Sequence, residues 1–242
     1  MKKTLAGVTV ATVIAGAVGM ALAPAAQAYD RDAYSYAAAH MIERSDIPAA
    51  LGSFKPALGF NANVSTYPGF LCPVPTPDNN GDAGEVKFPA SRYNFNASYT
   101  ARGKRDPAWA QASIYQYPSA KRAIAAWETL TTNIAKCTGT GSNSWTNDDG
   151  STTTYSTQVT HGVVPMDTTT GVESVFVSQN SLQQNTAGDS RYVNDTYSVY
   201  SLVDDVIIQT QFYANTNDNL TTKQRKAVNQ LAFNAETRWL AN

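Results

Sequence analysis

The sequence predicts a single α+β domain, a twisted antiparallel β-sheet with helices packed on one face and one disulfide. Three observations support this prediction. Segments with alternating apolar and polar residues dominate the second half of the chain, as expected of antiparallel strands. Two longer segments carry apolar residues at intervals of three and four, as amphipathic helices do. The 242 residues include only two cysteines, Cys72 and Cys137.

The first 28 residues have the organisation of a secretory signal peptide. Lys2 and Lys3 form a basic start, an apolar run follows from residue 5 to residue 22, and Ala26-Gln27-Ala28 is a small-x-small cleavage pattern. A retained membrane anchor is the alternative, because the apolar run is nearly long enough to span a bilayer. The cleavage pattern favours release. We therefore expect a secreted domain of residues 29–242 with no stable membrane insertion after cleavage.

The composition of this domain limits its partners. Removing the signal segment takes away two of the 18 Lys and Arg and none of the 19 Asp and Glu, which leaves a net charge of −3. No basic cluster is present, so nucleic acid is not an expected partner. In an exported protein the even pair Cys72 and Cys137 predicts one disulfide. Its loop of about 66 residues would stabilise the fold by roughly 4 kcal/mol in the chain-entropy model.

The N-terminal half of the domain is predicted to contain one helix and two strands. The helix covers residues 31–44 and ends before Pro48, because the residue before a proline avoids helical geometry. The strands cover residues 60–67 and 91–100. Between them lies a proline-rich loop that contains Cys72.

A strand followed by a helix forms the centre of the prediction. The strand covers residues 109–117, and the helix runs from Pro118 to Cys137. Pro118 suits the first helical turn, and Ser119 offers an alternative cap. One stripe of the helix is apolar and is expected to be buried on the sheet: Ala123, Trp127, Leu130, Ile134 and Cys137.

The C-terminal half is predicted to be a loop, a four-stranded meander and a helix. The loop covers residues 138–150. The strands are expected at residues 151–161, 172–179, 192–203 and 206–213, with Asp204-Asp205 as a tight turn between the last two. Thr221 and Gln224 have the spacing of a capping box. The helix that follows has the apolar stripe Val228, Leu231, Ala235 and Trp239 or Leu240.

Three of these segments together resemble the PknH-like extracellular sensor domain family. They are the alanine-rich first helix running into Asp46-Ile-Pro48, the helix that ends at Cys137, and the C-terminal helix Ala227…Trp239 after a hairpin. The family occurs outside bacterial receptor kinases and in exported proteins. The resemblance implies an antiparallel sheet with packed helices, a disulfide-held core that includes Cys72 and Cys137, and a cleft for an extracellular ligand. Kinase-linked members have a second disulfide that this chain lacks.

The strand pattern also predicts a binding surface. In the central strand Ala110, Ala112 and Ile114 share one face, and they are small enough for the helix that follows to pack closely on it. The opposite face of this strand and of strand 206–213 carries the candidate ligand-binding residues Gln111, Tyr115, Gln209, Gln211 and Tyr213. A cleft with amides and aromatic rings suits a polar or sugar-like, cell-wall-derived ligand. The solvated outer face of an antiparallel sheet has the same pattern.

No motif for catalysis, a cofactor or a metal is present. His40 and His161 have no plausible acidic or nucleophilic catalytic partner nearby in sequence, and the acidic run at residues 78–82 lacks the spacing of a calcium loop. Two carboxylates such as Glu173 and Asp195 could meet in space and hydrolyse a glycosidic bond. We expect a non-enzymatic domain without cofactor or metal, sensor-like and ligand-binding. The alternatives are an envelope protein–protein interaction module and a cell-wall hydrolase.

Overall fold

The computed structural model describes residues 31–55, 60–64, 90–101, 108–137, 139–164, 172–188, 190–214 and 220–241. Within these ranges, eight strands form one antiparallel sheet and three α-helices pack on it. The helices are α1 (Arg31–His40), α2 (Ala120–Lys136) and α3 (Thr222–Leu240). The strands are β1 (Phe60–Val64), β2 (Tyr93–Thr100), β3 (Trp109–Gln116), β4 (Gly139–Thr146), β5 (Thr152–Val163), β6 (Glu173–Asn185), β7 (Ser190–Val203) and β8 (Val206–Ala214). Their order in the sheet is β1-β2-β3-β8-β7-β6-β5-β4.

The α+β class and the antiparallel sheet are confirmed, and two element predictions are wrong. The predicted loop at 138–150 contains β4, which pairs with β5 along its whole length. Its Gly, Ser, Thr and Asn residues are mostly exposed at the sheet edge, so the sequence has no apolar alternation here that would predict a strand. The first helix ends at His40, and a separate 3₁₀ turn follows at Arg44–Asp46.

Helices cover both faces of the sheet, so the prediction that they pack on one face is wrong. Val206 and Ile208 of β8 belong to the hydrophobic cluster that contains the buried residues of α1 and α3. Ile207, between them, belongs to the cluster that contains the buried residues of α2. Because alternate residues of a strand point to opposite faces, α2 lies on the other side of the sheet from α1 and α3.

The side on which α2 crosses could not be read from the sequence. The helix connects β3 to β4, which are five antiparallel steps apart in the sheet and therefore run antiparallel to each other. The handedness rule for crossovers applies only to parallel strands, so it selects no face here. Ala110, Ala112 and Ile114 were expected under α2, but they lie in the cluster with α3.

The predicted apolar stripes of α2 and α3 are both buried. All five residues of the α2 stripe are buried, and the hydroxyl of Ser119 caps the helix by accepting from the Arg122 N–H. On α3 the predicted capping box is present, and Trp239 rather than Leu240 completes the stripe. These stripes are what attach each helix to its face of the sheet.

The first helix is attached to the end of α3 by polar contacts. The Tyr36 hydroxyl donates to the Trp239 carbonyl at 2.8 Å, and His40 Nε2 lies 2.8 Å from the Ala241 carbonyl oxygen. The neighbouring Arg238 contacts the 3₁₀ turn, where its Nε lies 2.5 Å from Asp46 Oδ2. The N-terminal segment thus packs on α3.

Some predictions fall outside the described residues. Cys137 is buried beyond the end of α2, with 1% of its surface exposed, but Cys72 lies outside the described ranges. The disulfide therefore stays a prediction. The signal segment and the acidic run at 78–82 also lie outside the described ranges.

Candidate functional site

The face of the sheet that carries α2 has an apolar part and a polar part. The apolar part packs against α2 through five residues of five strands: Tyr115, Ile207, Tyr200, Val177 and Val159. Farther along the strands, the same face carries Gln111 on β3 opposite Gln211 on β8. The strand pairing extends this row to Ser98 on β2 and Ser198 on β7. Gln111 and Gln211 are half-buried.

A second polar row lies beside the first. Trp109 pairs with Tyr213, and the neighbouring strands add Thr100 and Thr196. The Trp109 and Tyr213 rings are stacked, with centroids 5.4 Å apart and planes 15° apart. We call these two rows the neutral surface: Ser98, Gln111, Gln211, Ser198, Thr100, Trp109, Tyr213 and Thr196.

The chemistry of the neutral surface is uniform. None of its eight side chains carries a charge at neutral pH, and all but the buried Ser198 are half-buried. Gln111 Nε2 donates to the Ser113 hydroxyl at 3.0 Å, which fixes the amide and leaves its Oε1 as an acceptor. Amides on adjacent strands beside an aromatic pair can bind hydroxyl and amide groups while a ring stacks on an apolar face.

Two of the five predicted ligand residues are structural. Tyr115 and Gln209 share the predicted face, but each is only 7% exposed. The Tyr115 hydroxyl donates to Gln209 Oε1 at 3.1 Å, and Gln209 Nε2 donates to the Tyr200 hydroxyl at 3.1 Å. Burial raises the pKa of Tyr200, with a smaller effect from nearby Tyr115, so the Tyr200 hydroxyl stays protonated. This hydrogen-bond chain satisfies the polar groups beneath α2.

The structure separates the two carboxylates considered for hydrolysis. Glu173 is exposed on the α2 side, where its Oε2 accepts from Trp127 Nε1 at 3.1 Å. Asp195 is fully buried on the α3 side, where it accepts from the Leu220 N–H. Burial raises the pKa of Asp195, against the opposing effects of that hydrogen bond and of Arg225. Because a sheet lies between them, Glu173 and Asp195 do not form an acid pair.

Metal and membrane sites were also sought in the described part of the chain. No three His, Cys, Asp or Glu side chains in those ranges come close enough together to hold a metal ion. Among the described helices, none is both long and apolar enough to cross a membrane.

Sequence reasoning missed Trp109 and the serines and threonines at the ends of the rows. The alternation pattern places Trp109 on the same face as Gln111, so a signal for this residue was present. Ser98, Ser198, Thr100 and Thr196 join the surface only through the register of β2 and β7. These four residues pair with β3 or β8 residues only 9 to 17 positions away, but the two hairpins meet through the β3–β8 pairing, which joins residues about 100 positions apart. Alternation within one strand contains neither register.

Comparison with known proteins gives similar solved structures but no family. No family model and no curated protein matches the chain. Among solved structures, it is similar to the crystal structure of the extracellular domain of PknH from Mycobacterium tuberculosis. The TM-score is 0.48 and the sequence identity is 13%, over 83% of this chain and 94% of that chain. That neighbour is the kind of domain that the sequence resembles. A likeness at this level carries no residue roles.

Proposed function

We propose that this chain is a secreted, non-enzymatic, sensor-like domain that binds a neutral polar ligand on the neutral surface. The observation that carries the proposal is the row Gln111–Gln211, with the Trp109–Tyr213 ring pair directly beside it. The secretory pattern of the first 28 residues supports an extracellular location.

The side chains on this surface favour a sugar over a charged ligand. An anion would need Arg or Lys and a cation would need Asp or Glu, and neither row contains any of these residues. Sugars present hydroxyls to amides and C–H faces to aromatic rings, which is what these rows offer. From β2 to β7 each row crosses four strands, or about 14 Å at the usual strand spacing. This length suits an oligosaccharide of a few units.

The alternative is an envelope protein–protein interaction module. A large exposed apolar patch would favour it. The exposed large apolar residues of the described ranges lie on five different elements: Tyr34 and Tyr36 on α1, Ile124 on α2, Trp145 on β4, Val163 on β5 and Leu240 on α3. Scattered residues of this kind are ordinary on soluble domains, so the neutral surface has the stronger support.

An NMR titration with chitotetraose, a neutral oligosaccharide rich in amides and hydroxyls, tests the proposal. We expect saturable shifts concentrated on Trp109, Gln111, Gln211 and Tyr213. Gln111→Ala and Gln211→Ala should each weaken binding by about fivefold to tenfold, the contribution of one or two net hydrogen bonds. Gln184→Ala, on an exposed end of β6, is the matched control and should bind like the wild type. Shifts that map elsewhere, or no binding at millimolar sugar, would refute the proposal.

A further inference from the structure

A second concave region lies at the opposite end of the sheet from the neutral surface. It is a groove of about 530 Å³ between α1, the end of α3 and the β7–β8 turn. Gln116, at the end of β3, lines it, whereas Trp109 of the neutral surface begins the same strand. Seven residues of extended chain separate the two positions by about 23 Å. The groove is therefore a separate place on the molecule.

The charged side chains of the groove are both acidic. Asp204 and Asp205 line it, and none of the lining residues that the structure describes is Lys or Arg. In the described part of the chain, Asp204 and Asp205 make no ion pair. Arg92, whose backbone N–H donates to the Gln116 carbonyl, has its guanidinium over the Tyr93 ring, 5.1 Å from the ring centroid. The charge of the two aspartates is therefore not neutralised by a partner within the described ranges.

The partial charges at the helix ends do not change the negative sign of the charge in the groove. Trp239 and Leu240 are in the last turn of α3, whose partial negative charge faces the groove. Ala33 is in the first turn of α1, which contributes a partial positive charge. These two helix-end charges are each about half an elementary charge and oppose each other. Among the lining residues that the structure describes, the two carboxylates therefore carry the net charge of the groove.

The wall of the groove is aromatic. Tyr36 and Trp239 line it, with ring centroids 5.0 Å apart in an edge-to-face arrangement. His40 stacks on one face of Tyr36 at 3.9 Å, and the Tyr36 hydroxyl is held by the Trp239 carbonyl. These contacts fix the Tyr36 ring although 42% of the residue is exposed. A fixed aromatic wall beside carboxylates is the usual environment for an organic cation.

An amide acceptor without a donor lies beside the aspartates. Gln116 Nε2 donates to Asp205 Oδ2 at 3.4 Å. Its Oε1 is buried and has no hydrogen-bond partner within the part of the chain that the structure describes. Buried acceptors normally have a donor, so this oxygen would accept an N–H group that enters beside Asp205.

The backbone of the β7–β8 turn does not require aspartates. Asp204 has φ +49°, and it is the one non-glycine residue with positive φ among those described. Asn or Gly at this position would satisfy the tight turn equally well or better. The turn thus carries two carboxylates where its geometry requires none.

We propose that this groove binds an alkylammonium group: the aspartates and Gln116 Oε1 receive the –NH₃⁺ donors, and Tyr36 and Trp239 contact its alkyl chain. The ammonium could belong to a free diamine or to a lysine side chain of a peptide. Both sources present the same ammonium group, and the diamine carries a second ammonium at its other end.

Calorimetry with 1,5-diaminopentane at low ionic strength, where the attraction is least screened, tests this proposal. We expect one saturable site on the wild type. The double variant Asp204→Asn/Asp205→Asn should bind at least about tenfold more weakly. Asn tolerates positive φ, so the variant should keep its fold, as checked by circular dichroism. Glutarate, of the same length but opposite charge, should not bind.

Asp148→Asn is the matched control, because Asp148 is an exposed aspartate in another hairpin turn, between β4 and β5. We expect Asp148→Asn to bind like the wild type and Asp204→Asn alone to bind about threefold more weakly. Equal losses in these two variants, or no saturable binding to the wild type, would overturn the proposal. Nα-acetyl-lysine amide distinguishes the two sources. If it binds as tightly as 1,5-diaminopentane, a single ammonium group is sufficient; if it binds more weakly, the groove is a diamine site.

Discussion

Glu236 is a carboxyl group buried between α3 and the sheet. It is fully buried, and its Oε1 lies 3.3 Å from the donating Ser174 hydroxyl, while its Oε2 has no partner in the described ranges. Burial raises the pKa of Glu236 above its ordinary value, although hydrogen bonds from Ser201 and Ser174 partly oppose the rise. The protonated form is therefore the one that suits this position.

This position makes stability depend on pH. Above the ordinary pKa of 4.5, the unfolded chain loses the Glu236 proton while the folded chain keeps it, so the free energy of unfolding falls as pH rises through that window. Glu236→Gln removes this pH-dependent fall in the free energy of unfolding, and we expect the variant to be about 1 kcal/mol more stable than the wild type at neutral pH. Near pH 4 the two proteins should be almost equally stable. The measurement is urea unfolding at several pH values.

The residual pH dependence of Glu236→Gln should come partly from Asp195, whose pKa burial also raises. Glu128→Gln, an exposed acid on α2, controls for the loss of a charge and should follow the wild-type profile. If Glu236→Gln has the same slope as the wild type between pH 4 and neutrality, the carboxyl is ionised in the folded protein and this account of it is wrong.

Gln209 is the residue whose role changed most between sequence and structure. It joins Tyr115 and Tyr200 beneath α2, so Gln209→Ala would leave both hydroxyls short of a buried partner. We expect a loss of about 2 to 3 kcal/mol in the free energy of unfolding. Gln184→Ala, on the exposed end of β6, should change it by less than about 0.5 kcal/mol. Thermal unfolding of the two variants side by side checks this, and similar values would place Gln209 outside the core.

At the scale of single elements, α3 depends on a local cap. The Thr221 hydroxyl accepts from the Gln224 N–H at 3.2 Å, and Gln224 Oε1 accepts from the Thr221 N–H at 2.9 Å. Thr221→Ala removes the first of these bonds, and we expect it to cost about 1 kcal/mol of stability. Thr222→Ala changes the adjacent exposed helical threonine and should be nearly neutral. Denaturant midpoints measure both variants, and equal effects would show that the cap adds nothing.

Local patterns were sufficient for the elements whose burial is periodic. Each of these features depends on residues that are close together in sequence, and each was predicted: the stripes of α2 and α3, the Thr221 cap and the Asp204-Asp205 turn. β4 was missed because an exposed edge strand needs no apolar alternation. The face chosen by α2 was missed because that choice depends on how distant strands are ordered, and β3 looks amphipathic in either arrangement.

At the scale of the whole molecule, the same difference between local pattern and long-range packing explains how far the candidate site was predicted. The sequence placed Gln111, Tyr115, Gln209, Gln211 and Tyr213 on one face, and the structure keeps them there. The position of α2 then decides which of them are buried: Tyr115 belongs to the cluster under the helix, and Gln209 is hydrogen-bonded to it, while Gln111 and Gln211 lie beyond it. Strand alternation identifies a face, but only tertiary packing identifies the part of it that a ligand can reach.

The predicted Cys72–Cys137 disulfide would attach the proline-rich segment to the end of α2. Cys137 is buried at that end, which suits a cross-link to a distant segment. Non-reducing peptide mass spectrometry should find the linked Cys72 and Cys137 peptides. Reduction should lower the free energy of unfolding by up to about 4 kcal/mol, the loop-closure value. Two alkylated free thiols in the native protein would contradict this prediction.

The most direct test of the central claim is the affinity of the double variant Gln111→Ala/Gln211→Ala for chitotetraose, measured by calorimetry beside the wild type. Both amides lie on the neutral surface outside the α2 cluster, so the variant should fold with a nearly unchanged thermal midpoint. We expect its affinity to fall by at least about thirtyfold, as expected from losing the hydrogen bonds of both amides. Wild-type affinity in a folded double variant would contradict the claim that this surface binds the ligand.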